Sequence, residues 1–181
     1  NDGDGLFIGH IFGSGAGTGG ENQGRIALHK VGAGTQALGG TMVYAGPTWV
    51  SNGTLSIGGT LSSSAVEVVT GATLAGNGTI QLGVRSAGTV YPSGAMTAGS
   101  YTQEPAGTFA VDIGGVVPGL DHGKLTVGGT AYVDGVLSAA LDGFTPVAGQ
   151  VFTVLTASVL SGTFATTNLP ALDPGLGWDV V

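Results

Sequence analysis

Residues 54–61, Thr54-Leu55-Ser56-Ile57-Gly58-Gly59-Thr60-Leu61, return nineteen positions later as Thr73-Leu74-Ala75-Gly76-Asn77-Gly78-Thr79-Ile80. Moving outward, Thr35 stands nineteen before Thr54 and Thr41 nineteen before Thr60, and the step returns between Thr89 and Thr108. Apolar neighbours keep it as well: Met42, Leu61 and Ile80; Leu55 and Leu74; Val50 and Val69; Leu38 and Ile57. A Thr-rich chain matches itself in one phase by chance, whereas side-chain character held in several phases marks a structural repeat.

Inside each unit the period is two. Thr-Leu-Ser-Ile at 54–57 and Thr-Ile-Gln-Leu-Gly-Val at 79–84 place apolar groups on one face and Thr, Ser or Gln on the other, as a half-buried strand requires. Glycines at the unit ends, with Asn52-Gly53-Thr54 and Asn77-Gly78-Thr79, supply turns. The expected fold is therefore all-β, a parallel β-helix or β-solenoid with coils of about 19 residues. Coils stacked at strand spacing of about 4.8 Å would make a rod roughly 35 to 45 Å long. Met42, Leu55, Leu61, Leu74 and Ile80 are its expected interior ladder. A β-sandwich also has short strands and many turns, but its mostly antiparallel pairs give no reason for one step to recur in several phases.

After Gly115 the step fades. Longer strands are expected at Val136 to Leu141 and Val151 to Leu155, and this irregular end reads as a cap over the last apolar coil. The organisation expected is a Gly-rich segment 1–29 acting as cap or interface, regular coils over 30–115, and a C-terminal solenoid or cap region 116–181 of the same domain. In the first segment, Leu6-Phe7-Ile8 to Ile11-Phe12 forms a compact apolar unit suited to capping the rod or packing on a neighbouring subunit.

Composition agrees with this reading and narrows the function. Thirty-seven glycines in 181 residues argue against helix, where each costs about 1 kcal/mol. Glycine has no three-residue period, which excludes collagen. The net charge is −7, and the only Lys and Arg residues are Arg25, Lys30, Arg85 and Lys124, scattered along the chain. No basic patch is expected, so nucleic acid and anionic membrane are not expected partners. With no cysteine there are no disulfides or thiolate metal sites. Apolar runs fall far short of the roughly 20 residues that span a bilayer, so no membrane insertion is expected of this segment. Asn1-Asp2-Gly3-Asp4 does not read as a signal peptide.

Candidate chemical motifs each meet a plainer explanation. Gly15-Ala16-Gly17-Thr18-Gly19-Gly20 satisfies G-x-G-x-x-G, yet no helical pattern or acidic residue in a βαβ context follows. Around Lys124 a phosphate loop would need Gly in place of Pro118 and Ser or Thr in place of Leu125. Asp2 and Asp4 could open a calcium loop, but the further ligands are missing. His10, His29 and His122 are too scattered for a zinc site and are expected on the surface or in turns. Asp121 beside His122 does not place the two side chains face to face, and no G-x-S-x-G occurs. Glu67, Asp112 and Asp134 are isolated among apolar neighbours, where glycan cleavage wants a pair of carboxylates. Tyr44, Trp49, Tyr91, Tyr101 and Trp178 are not spaced by 19 or 38, so a regular sugar-stacking strip is not expected from them. No catalytic residue, metal or cofactor is expected.

Lys30-Val31-Gly32-Ala33-Gly34-Thr35, then Gly40-Thr41-Met42-Val43-Tyr44-Ala45-Gly46, then Val50-Ser51-Asn52-Gly53-Thr54-Leu55, resembles the autotransporter-associated β-strand repeat. Gly76-Asn77-Gly78-Thr79-Ile80 is similar to the GNGTI that commonly follows it. Asp121 to Thr130 is similar to the family's DxL-V-GT unit, with one extra residue before Lys124. Gly143 to Pro146, Gly149 to Ala157, Gly162-Thr163-Phe164 and Gly175 to Val180 look like the end of such passenger modules. The resemblance implies a right-handed β-helix exported to, or released from, a bacterial surface. The function expected is that of a non-enzymatic extracellular structural rod, either the stalk of a bacterial surface passenger or a self-associating homo-oligomer or filament. An adhesin or surface-glycan-binding module is the alternative, and a polysaccharide-active enzyme the less favoured one. The two open ends of a solenoid carry unpaired strand groups that recruit another chain unless capped.

Overall fold

The alternation becomes strand throughout. The computed structural model describes residues 3–7, 11–12, 26–62 and 64–181, and among them are eighteen strands and no helix. In chain order they begin with β1 (Gly5–Phe7), β2 (Ile11–Phe12), β3 (Leu28–Lys30), β4 (Thr35–Leu38), β5 (Thr41–Val43) and β6 (Thr48–Val50). Next come β7 (Thr54–Ile57), β8 (Thr60–Leu61), β9 (Val66–Val68), β10 (Thr73–Gly76), β11 (Thr79–Ser86) and β12 (Thr89–Pro92). The last six are β13 (Ala95–Gln103), β14 (Thr108–Ile113), β15 (Lys124–Val133), β16 (Val136–Leu141), β17 (Leu155–Gly162) and β18 (Thr166–Asn168).

Every named strand pair is parallel, which makes the fold a parallel β-helix and removes the sandwich alternative. One sheet runs β1-β4-β7-β10-β12-β14-β16-β18. At about 4.8 Å per strand, eight strands extend about 34 Å. The second sheet starts as two separate columns, β2-β5-β8 and β3-β6-β9, and both pair with β11. From β11 onward one long strand does the work of two and continues to β13, β15 and β17. Its bend appears as register shifts at Ile80/Gly83, Ala98/Tyr101 and Val127/Thr130.

Coil length varies with this geometry. In the first sheet Thr35 pairs Thr54 and Thr54 pairs Thr73, nineteen residues apart, but Thr73 pairs Thr89 after only sixteen. One residue is lost where the corner between β8 and β9 shrinks into the bulge of β11, and two more in the turn that leads to the next strand of the first sheet. Thr89 to Thr108 is again nineteen. Thr108 to Val136 is twenty-eight and Val136 to Thr166 thirty, because loops 114–123 and 142–154 enter the same corner of consecutive coils. Two expectations need correction. Val50 pairs Val68 rather than Val69; Val69 lies in the turn, more than a third exposed. Residues 151–154 are not strand, since the coil below them, at 118–123, is a loop with no strand to pair; the ladder resumes where Leu125 N–H donates to the Val154 carbonyl.

Inward positions stack in columns. Met42, Leu61, Ile80, Ala98 and Val127 are register partners in the second sheet, and Leu55, Leu74, Val90, Phe109 and Leu137 in the first. All ten are buried. Each fully buried large side chain contributes about 1.5 to 3 kcal/mol, and two such columns facing each other make the core continuous along the rod. The corner between β7 and β8 is stacked glycine: a Cβ on Gly59 would run into the backbone of Gly40, and one on Gly78 into Gly59.

Candidate functional surfaces

Polar groups taken inside are all answered. Among the described residues no buried side-chain nitrogen or oxygen lacks a partner. Lys30, on β3, donates from Nζ to the carbonyls of Val31 (3.0 Å), Gly32 (2.7 Å) and Asn52 (3.0 Å), closing a corner across two coils. The hydroxyls of Tyr44, Thr48 and Ser64 form a buried chain at 2.6 and 2.8 Å. Gln103 accepts from Tyr101 Oη and donates from Nε2 to the carbonyls of Gly107, Asp134 and Val136. These cross-ties fix corners that glycine leaves soft.

His122 is buried rather than placed at the surface. Its ring nitrogens lie 3.0 Å from the Gly115 carbonyl and 3.3 Å from the Thr153 carbonyl, and Phe152 packs on it in a T-shape. It ties loop 114–123 to loop 142–154, which explains its burial; neighbouring Asp121 turns instead to the Val117 amide. His29 is exposed, and His10 lies outside the described residues, as do Arg25, Asp2 and the run Gly15–Gly20. Asp4 accepts from the Thr35 amide at 2.6 Å. Ile8 also lies outside; of the apolar unit containing it, β1 and β2 pair with β4 and β5 as strands of the first coil.

The three acids stand apart. Glu67 faces outward from β9, Asp112 outward from β14, and Asp134 binds the Gly135 amide in the turn before β16. Asp112 accepts a short hydrogen bond from the Tyr91 hydroxyl, which pushes that phenol up to about 12, with burial and the charges of Asp112 and Asp142 adding to it. Among the described residues no three His, Asp or Glu side chains converge as a metal site, and no helix is long and apolar enough to cross a membrane.

At the C-terminal end β17 and β18 are the edge strands of the two sheets. Val159 and Leu160 on β17 are more than half exposed. Behind that edge an apolar cavity of about 520 Å³ is lined by residues including Leu137, Phe152, Leu160, Phe164 and Trp178. Phe152 meets both Phe144 and Trp178 edge to face, and Trp178 Nε1 donates to the Pro170 carbonyl at 2.7 Å.

Of the five aromatic residues weighed as a strip, Tyr44 and Tyr101 are fully buried, Tyr91 and Trp178 are partly buried, and Trp49 is exposed. The register adds one that spacing missed. His29, Trp49, Glu67, Arg85, Thr102 and Tyr132 are successive partners on six strands, a single outward column along the rod. Trp49 and Tyr132 are 83 positions apart, not a multiple of 19, because the intervening coils differ in length. His29 meets Trp49 in a T-shape at 6.0 Å and lies 2.6 Å from the Ser51 hydroxyl. Arg85 is ion-paired with Glu104.

No curated protein matches the chain. Residues 28–57, which run from β3 to the end of β7 and include the Lys30 corner, the hydroxyl chain's Tyr44 and Thr48, and Trp49, match the family model of the passenger-associated-transport-repeat. Residues 28–57 are thus similar to a passenger-associated-transport-repeat, and they are built into a parallel β-helix.

Proposed function

We propose that this chain is a non-enzymatic structural rod, a segment of a bacterial surface passenger that acts outside the cell and associates end to end with further copies. The observation that carries the reading is the unbroken parallel ladder from β1 to β18, in a chain whose residues 28–57 match a passenger repeat. A β-helix with a continuous apolar interior transmits position along its axis without needing a cleft. The separation of Glu67, Asp112 and Asp134 supports a role without glycan cleavage.

End-to-end association is supported by the β17 edge, which offers backbone groups beside exposed Val159 and Leu160 and no charged side chain to discourage pairing. The test is size-exclusion chromatography with light scattering, and negative-stain microscopy, over rising protein concentration. Rods that lengthen in steps of one molecule are expected, and Val159→Lys/Leu160→Lys should return them to monomers. A discrete monomer at high concentration, with no fibres, removes the assembly.

A further inference from the structure

We propose that the outward column from Trp49 to Tyr132 binds an extended, neutral polysaccharide laid along the rod axis. This goes beyond the structural role and rests only on the register of the second sheet. Trp49 and Tyr132 are 38% and 55% exposed. They are four rungs apart through Glu67, Arg85 and Thr102, about 19 Å at strand spacing. Neither ring gains an aromatic partner across the ladder on the side facing the other: Trp49 is followed by Glu67, and Tyr132 is preceded by Thr102. Trp49 stacks on its cross-strand neighbour His29, but Tyr132, between Thr102 and Ser161, has no aromatic neighbour across the ladder, so cross-strand stacking does not account for its ring facing water on the same line.

The chemistry between the rings is that of hydroxyl recognition. Glu67 accepts, Arg85 donates and Thr102 does both, and side chains on successive rungs repeat at a distance comparable to the length of one pyranose unit in an extended chain. A sugar ring presents apolar C–H faces to aromatic planes and hydroxyls at its rim, which fits two aromatic platforms with polar groups between them. Trp49 is braced by His29, so little freedom is lost when a ligand settles on it. Charge selects against the other linear polymers. Arg85 is matched by Glu104, Glu67 leaves an excess negative charge on the column, and the chain as a whole carries −7. Polyuronates and nucleic acids are repelled, while a neutral glycan is not.

Affinity electrophoresis tests this, with the full chain run through native gels holding hydroxyethyl cellulose, soluble mannan or polygalacturonate. Retardation by a neutral polymer is expected. Trp49→Ala and Tyr132→Ala should each weaken it roughly three- to tenfold, while Tyr132→Phe keeps most of it. Tyr132 is the more exposed ring, so its variants carry the test alone if Trp49→Ala loses the folded circular-dichroism signature. Unretarded migration in both neutral gels, retardation that survives in the Trp49→Ala/Tyr132→Ala variant, or retardation by polygalacturonate only, each overturns the proposal. The rod reading is judged separately, by particle length, and does not fall with it.

Discussion

The Gln103 amide donates to the Asp134 carbonyl at 2.6 Å, joining two corners 31 residues apart in sequence and adjacent in the stack. The same nitrogen serves Gly107 and Val136, so one buried side chain holds three backbone acceptors. Gln103→Leu is expected to cost about 1 to 3 kcal/mol, because the carbonyls stay buried without the donor. Gln103→Glu makes the effect pH-dependent. A carboxyl facing carbonyls is favoured protonated, so its folded pKa lies above the unfolded value of about 4.3. The variant's deficit against the parent should be small below that pH and grow as pH rises through the folded pKa. Denaturant unfolding at acid and neutral pH checks this; a deficit that shrinks toward neutrality contradicts it.

Tyr91 gives a second pH dependence, at the alkaline end. Its hydrogen bond to Asp112 and the nearby charges raise the folded value from 10.0 to about 12. The stabilisation this bond adds is complete below pH 10 and is lost as pH rises toward 12. Phenolate absorbance should show a step near 12 that Tyr91→Phe removes and Asp112→Asn moves down. An Asp112→Asn titration identical to the parent's would break the assignment.

Leu61 lies between Met42 and Ile80 with no exposure. Leu61→Ala is expected to cost about 2 to 5 kcal/mol. Leu61→Asp should prevent folding, because the stack offers its carboxylate no partner. Thermal unfolding followed by circular dichroism measures both, and an unchanged transition in Leu61→Asp refutes the interior column.

Two adjacent glycines separate packing from turn chemistry. A Cβ at Gly59 collides with the Gly40 backbone, whereas at Gly58 nothing lies nearer than 3.9 Å. Gly59→Ala should destabilise by about 1 to 3 kcal/mol, and Gly58→Ala should be close to neutral. Equal losses at the two sites in chemical denaturation would mean that close stacking is not what requires glycine there.

Strand period, parallel stacking and the column Met42, Leu61, Ile80 were legible in the residues because three consecutive coils keep one length there. Where a corner gains or loses residues the signal breaks. Counting by nineteen aligns Val69 with Val50 because it cannot see that the corner before β9 is one residue shorter than the corner before β6. The alignment of Tyr132 is hidden from the sequence for the same reason. Its outward direction follows from alternation along Lys124–Val133, but its alignment with Trp49 depends on the lengths of loops the repeat does not govern.

The chain's own residues determined the class of structure: apolar groups at period two make half-buried strands, and one nineteen-residue step kept in several phases stacks those strands coil on coil. Tertiary structure alone decided which residues share a rung where coil length departs from nineteen. Loop insertions such as 114–123 cost only the slowly growing entropy of a longer closure and leave the ladder intact. Rung partners on either side of them are therefore set by backbone hydrogen bonding between coils, which sequence distance does not encode.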